Sequence, residues 1–448
     1  MFDGLRRRLL PTMTQTDSNA TDQRCTTDEG KVPGARSTSI SPRSSPSPIS
    51  MGPQFSGDFT PSHYSEDGTL LLSNEFDEDC SSPGCTMSAG KIIFAFVVAL
   101  LGAAAVLSFQ WYADDPALPV RVVVVTMFPP EREEWVRRGV YGAGHAAAFG
   151  RALEFDYGLE DLRYDGDAEV LLVTTGIGNT AAAACITALG LDKRFDFTKA
   201  YWLVTGVAGV DPADASAGSA MWASWVVDGD LCRAIDPRDM PPSWTHSIFP
   251  LGAWQDLRQP YPPEVDARIA KRVAFEMHPG LVDWAYRLTK DMRLADTQAL
   301  REVRANYTQP KARRPPFVLK GAVLTGQTYW AGSHMTAWAN DWVRYYTGGA
   351  GEFVMTAMED SGIAHALSRL GKSRLVDPLR LLVLRTGSNY CTPPPKEEAA
   401  SLMLDPTGTE EQSLIGLEAS ASSAWLLGQR VVLRLVDKWD VYRDTVPQ

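Results

Sequence analysis

Glycines and polar residues that punctuate apolar strands are the first chemistry this chain offers. Val170–Thr174 is an apolar, β-branched run interrupted by Gly176, Gly178 and Asn179, and the Ala- and Leu-rich segment Ala181–Leu191 that follows reads as a helix. Tyr201–Val204 is a second buried run, with Gly206 and Gly209 at its end. Glycine lets a backbone come close to a ligand and present its N–H groups. A following helix N-terminus favours an anionic or oxygen-rich group. The order predicts a βαβ unit in a parallel sheet, where ligands bind beyond the carboxyl ends of the strands.

Side chains able to hold a ligand or move a proton fall at similar places. Glu131 follows the first strand across Met127–Pro130. It reads as a site carboxylate or as a first-turn helix glutamate favoured by the dipole. Met358 and Glu359 stand at a strand-to-helix turn, as a site pair or as a core Met with a capping Glu. Tyr329, three residues after Gly326, is a stacking platform or a core aromatic. His334 is a ligand contact or an exposed neighbour of Ser333, which reads as a helix cap. Arg385 is the only arginine beside one of these motifs. Asn389, after Ser388, holds a ligand by hydrogen bonds but cannot deliver a proton. Its alternative is a turn residue ahead of Pro393–Pro395.

The elements that must position these residues alternate. Val122–Val125, Ala220–Val227, Val318–Leu324, Glu352–Thr356 and Leu379–Leu384 read as strands. Helices are predicted from Glu131 and over most of Pro263–Met292, then at Ser333–Tyr345, Asp360–Leu370 and Ala421–Tyr442. Residues 232–265, rich in Pro and Trp, read as a long irregular excursion. The pattern is that of an α/β domain.

The chain has 448 residues and a formal charge of −11, which argues against a general nucleic-acid binder. Its six cysteines form no CxxC pair, so neither a metal site of that kind nor a cofactor is expected. Residues 1–90, dominated by Ser, Thr, Pro, Gly and Asp, read as a disordered tail. Residues 91–112 read as a single transmembrane helix. Ile92–Phe109 carries no charge over eighteen residues, and Trp111 and Tyr112 suit the membrane interface. Lys91 on one flank and Asp114 and Asp115 on the other place the main domain, 120–448, on the extracellular or lumenal side. The sequon Asn306-Tyr307-Thr308 is compatible with that side.

The motifs TGIGNTAAAA, YWLVTGVAGVDP, GQTYWAG, MTAMEDSG and LRTGSNY, in this order, resemble the fungal and bacterial purine nucleoside permease family from Arg121 to the C-terminus. More distantly they are similar to the nucleoside phosphorylase and nucleosidase superfamily. The resemblance implies a nucleoside-phosphorylase-like mixed sheet flanked by helices, purine nucleoside as ligand, and homo-oligomers. It implies that Glu359 takes the ribose hydroxyls while Met358 packs on the sugar. Tyr329 stacks on the base, His334 meets the 5′-hydroxyl, and Glu131 activates water. The enzymes of the superfamily often carry Asp where this chain has Asn389. Within the permease family an Asp often follows two residues later, where this chain has Cys391. Phosphate binding normally wants arginine, so the single candidate Arg385 favours hydrolysis or plain binding over phosphorolysis. The expectation is recognition and uptake of purine nucleosides with cleavage of the N-glycosidic bond, or alternatively a non-catalytic nucleoside-binding component of transport.

Overall fold

Apolar runs set the strands of this α/β architecture, and long-range pairing decides where they end. The computed structural model describes residues 90, 93–94, 96–100, 117–142, 149–251, 257–258, 267–403 and 416–448. But for residue 90 the expected tail lies outside the described residues, as does most of the expected span. Among the described residues no helix is long and apolar enough to cross a membrane.

In chain order the strands are β1 (Leu118–Pro119), β2 (Val122–Thr126), β3 (Arg151–Leu153), β4 (Leu162–Asp165), β5 (Val170–Thr174), β6 (Phe195–Asp196), β7 (Tyr201–Val210), β8 (Ala220–Asp228), β9 (Cys232–Ala234), β10 (Ile248–Pro250), β11 (Ala274–Glu276), β12 (Val318–Thr325), β13 (Phe353–Ala357) and β14 (Leu381–Tyr390). The helices are α1 (Pro129–Arg138), α2 (Asn179–Gly190), α3 (Ala267–Val273), α4 (Pro279–Thr289), α5 (Gln298–Ala305), α6 (Ser333–Tyr346), α7 (Asp360–Lys372), α8 (Leu417–Asp437) and α9 (Trp439–Tyr442).

Ten strands form one mixed sheet in the order β11-β8-β12-β13-β7-β2-β5-β4-β3, with β14 paired to both β7 and β8. Strands β5, β2 and β7 are mutually parallel through β2, as the strand–helix–strand reading predicts. Each is buried on both faces, which is why VVVVT and VLLVT are continuous apolar runs without alternation. The antiparallel partners are β3 on β4, β4 on β5, β11 and β14 on β8, and β13 on β7. The pairings β8–β12, β12–β13, β13–β7, β7–β14 and β14–β8 close a five-stranded ring.

Several boundaries differ from the sequence reading. Gly206 and Gly209 do not end β7 but lie inside it, because β14 pairs Arg385 with Gly206 and Asn389 with Gly209. Ladder bonds thus carry the strand past residues of poor strand propensity. For the same reason β14 continues to Tyr390, and Asn389 lies in a strand, not a turn. Ser388 occupies the register shift between Gly387 and Asn389. The helical stretch expected at the 263–292 segment is broken by β11, which pairs with β8. Gly332, with φ of 121°, is the N-cap of α6, and Ser333 makes no side-chain cap there.

Candidate functional site

The C-terminal ends of β7 and β13, the far half of β14 and the N-terminus of α1 meet around a cavity of about 180 Å³. Glu131, Gly209, Tyr329, Met358, Glu359, Arg385 and Asn389 all line it, along with Met127, Ile177 and Val207.

Glu131 sits in the first turn of α1, as helix propensity and Pro129–Pro130 at the N-terminus dictate. Its carboxylate turns back instead of facing water. Oε2 accepts from the Met127 N–H at 2.8 Å and Oε1 from the Val207 N–H at 2.8 Å. The side chain therefore fastens the start of the helix to β7 and is buried. Burial pushes its pKa up to about 8; Arg385 offsets part of this, and the negative charge of Glu359 adds to it.

Glu359 is the N-cap of α7, with φ −129°, yet it caps nothing with its side chain. Oε1 accepts from the Gly178 N–H at 3.2 Å, and Oε2 from Arg385 Nη2 at 2.9 Å. Its pKa is raised by burial, against the attraction of Arg385. Arg385 is buried to 1% exposure, and each of its nitrogens donates a hydrogen bond. Nε reaches both Asp360 oxygens at 3.1 Å, Nη2 donates to Asp360 Oδ1 at 2.6 Å and to Glu359, and Nη1 donates to the Val207 carbonyl at 3.1 Å. Burial alone would lower its pKa, but Asp360 and Glu359 outweigh this and hold it above the usual arginine value. This guanidinium is the counter-charge of two buried carboxylates.

Gly206 makes the cluster possible. A Cβ there would overlap Met127 Cε and lie 2.5 Å from Glu131 Oε1 and 2.7 Å from Arg385 Nη1.

Tyr329, also on the cavity, is 46% exposed, while its neighbour Trp330 packs on Phe353 and Trp338. The core aromatic of that pair is Trp330. Asn389 Nδ2 donates to Tyr329 Oη at 3.1 Å, and Asn389 Oδ1 accepts from Ser388 Oγ at 2.9 Å. Cys391, two residues on, is buried, and burial pushes its thiol up to about 12, so it supplies no acid at neutral pH.

Other expected site residues do not line the cavity. Gly176 and Gly178, at φ 86° and 97°, shape the loop that aims the Gly178 N–H at Glu359. Asn179 is consumed by structure: Nδ2 donates to Asp230 at 3.0 Å and Oδ1 accepts from the Gly362 N–H at 3.1 Å, tying α2 to α7. His334 is exposed on the first turn of α6, away from the cavity lining. Sequence reasoning missed Asp360 and Gln327. Asp360 stood beside Glu359 in plain view as a second acid. Gln327 accepts from the Thr180 N–H at 3.2 Å, a contact across 147 residues that no local pattern signals.

A carboxylate pair, a stacking ring and an amide around one cavity suit a ligand with hydroxyls at one end and a flat polar ring at the other. The family model for purine nucleoside permease (NUP) matches residues 119–447, and the chain belongs to this family. A probable purine nucleoside permease of Schizosaccharomyces pombe is 31% identical over 243 residues, covering 53% of this chain and 68% of the relative. The purine nucleoside permease of Candida albicans is 26% identical over 333 residues, covering 71% and 76%. Among solved structures, Helicobacter pylori MTAN in a mutant form with 5′-methylthioadenosine in the active site aligns with a TM-score of 0.44 at 14% identity, covering 70% of this chain and 99% of that one. The futalosine hydrolase of the same organism aligns with a TM-score of 0.44 at 13% identity, covering 70% and 98%.

Proposed function

We propose that this cavity binds a purine nucleoside as part of nucleoside uptake, with the ribose hydroxyls on Glu359, the sugar face on Met358, and the base between Tyr329 and Asn389. The observation that carries the reading is that a buried, arginine-held carboxylate shares one cavity with an exposed tyrosine ring and a strand-borne amide. Phosphorolysis is disfavoured because Arg385 is already neutralised by Asp360 and Glu359. Hydrolysis is the second reading. It is favoured by Glu131, whose pKa of about 8 suits proton transfer near neutral pH. It is opposed by Asn389, which has no proton for a departing base. Membrane association belongs to the same proposal, with the charge-free run Ile92–Phe109 as its anchor.

The test is the full chain incubated with adenosine, inosine and guanosine, with and without phosphate, with bound nucleoside measured by equilibrium dialysis and free base by chromatography. Saturable binding with no base released is the expected result. Base released without phosphate establishes the second reading. No binding of any nucleoside ends both. Fractionation after expression tests the anchor: a chain that stays wholly in the supernatant removes it.

A further inference from the structure

We propose that the cavity takes up a proton together with its nucleoside, and that Glu131, facing Glu359, carries it. The inference rests on the nucleoside reading of the cavity. Its basis is the balance of buried charge. Glu131, Glu359 and Asp360 are three carboxylates at 3%, 4% and 0% exposure, and the one guanidinium among them is Arg385 at 1%. Arg385 directs its donors to Asp360, to Glu359 and to the Val207 carbonyl, while Glu131 is held by two backbone N–H groups. Fully ionised, the cluster holds an excess of two negative charges.

Neighbouring elements bring no further compensation. On α1 itself, Arg132 pairs with Glu133, and Arg137 and Arg138 with Glu134. Strands β2, β5 and β7, against the helix, carry no carboxylate or cation, and the one phenol, Tyr201, donates to the Tyr442 carbonyl. On α8, Glu418, Arg430 and Asp437 are exposed and Arg434 is half-buried. The remaining titratable group on the cavity is the Tyr329 hydroxyl, which Asn389 engages.

An uncharged ligand that fills the cavity closes off the little contact with solvent that Glu131 and Glu359 retain, which adds to the cost of keeping three carboxylates ionised around one guanidinium. A proton on Glu131 removes one of the excess charges and supplies an O–H donor for a ligand oxygen. Burial already drives both carboxyls in this direction, Glu131 to about 8. Below that pH the proton is in place before the ligand arrives; above it, binding has to bring one. Occupancy then responds to a pH difference as well as to nucleoside concentration.

Adenosine, which has no group titrating in the alkaline range, is the probe. The full chain is titrated calorimetrically from about pH 6 to about pH 10 in two buffers of different ionisation enthalpy, with circular dichroism at both limits. The expected result is proton uptake near zero at the acid limit, approaching one proton per adenosine at the alkaline limit, and a Kd that rises about tenfold per pH unit above about 8. In Glu131→Gln, uptake and slope vanish at whatever affinity the variant retains. Adenosine bound with constant affinity and no uptake in the unmodified chain overturns the inference alone, with no need of the variant. Uptake that survives in a folded Glu131→Gln also overturns it. Absence of adenosine binding at every pH removes the nucleoside reading and this inference together.

Discussion

Arg385 is the residue on which the cavity's electrostatics turn. Its single positive charge is shared between Asp360 and Glu359, in surroundings where an unpaired charge is expensive. Arg385→Met leaves two buried carboxylates uncompensated, and urea unfolding is expected to show a loss of about 3–5 kcal/mol. Arg385→Lys keeps the charge but not the fork, so its loss falls between the wild type and Arg385→Met. Glu359→Gln removes a charged acceptor from the ribose end. Its Kd for adenosine is expected to rise about tenfold to a hundredfold, from the roughly 1.5–3 kcal/mol of a charged hydrogen bond. An unchanged Kd in dialysis takes Glu359 out of the site. Glu131 sets a pH dependence with a definite sign. Its folded pKa lies above its ordinary value of 4.5, so its contribution to stability falls as pH rises from about 4.5 to about 8 and is level beyond. Urea midpoints measured across that window should decline more in the wild type than in Glu131→Gln. Asn389→Asp places an acid against Tyr329 and Ser388. Chromatography should then detect free base from adenosine where the unmodified chain releases none.

Among the elements, β7 and β14 depart most from what their sequence announces. Buried runs such as VVVVT and VLLVT were legible because a strand covered on both faces must be apolar throughout. The helices after Gly178 and Glu359 were legible from composition. Glycine reads as punctuation, and Gly176 and Gly178 fit this with positive φ. At Gly206 and Gly209 the same residue type is there for space: β14 fixes both in the ladder, and Met127, Glu131 and Arg385 occupy the volume a side chain would need. Local pattern cannot separate these two uses of glycine, because the second is decided by atoms far away in sequence. Gly206→Ala is expected to cost about 1–3 kcal/mol by overpacking. It should also weaken adenosine binding, since Glu131 and Arg385 must shift, and thermal melting with a parallel dialysis measurement checks both. Asn179 and His334 have the chemistry and the proximity to motifs expected of site residues. One is spent on joining α2 to α7 and the other faces outward.

At the scale of the molecule, the closed circuit β8–β12–β13–β7–β14 brings together residues separated by about 250 positions, from Glu131 to Asn389. The sequence indicated an α/β domain and the residues around the cavity, but not this closure, since pairing partners so far apart leave no periodic trace. The closing strand comes late in the chain and supplies both Arg385 and Asn389. A polypeptide still on the ribosome without that strand therefore presents Glu359 and Asp360 with no counter-ion and β7 with an open margin. Premature termination upstream of Leu381 should yield a product that chaperones retain or proteases remove, however complete its earlier strands.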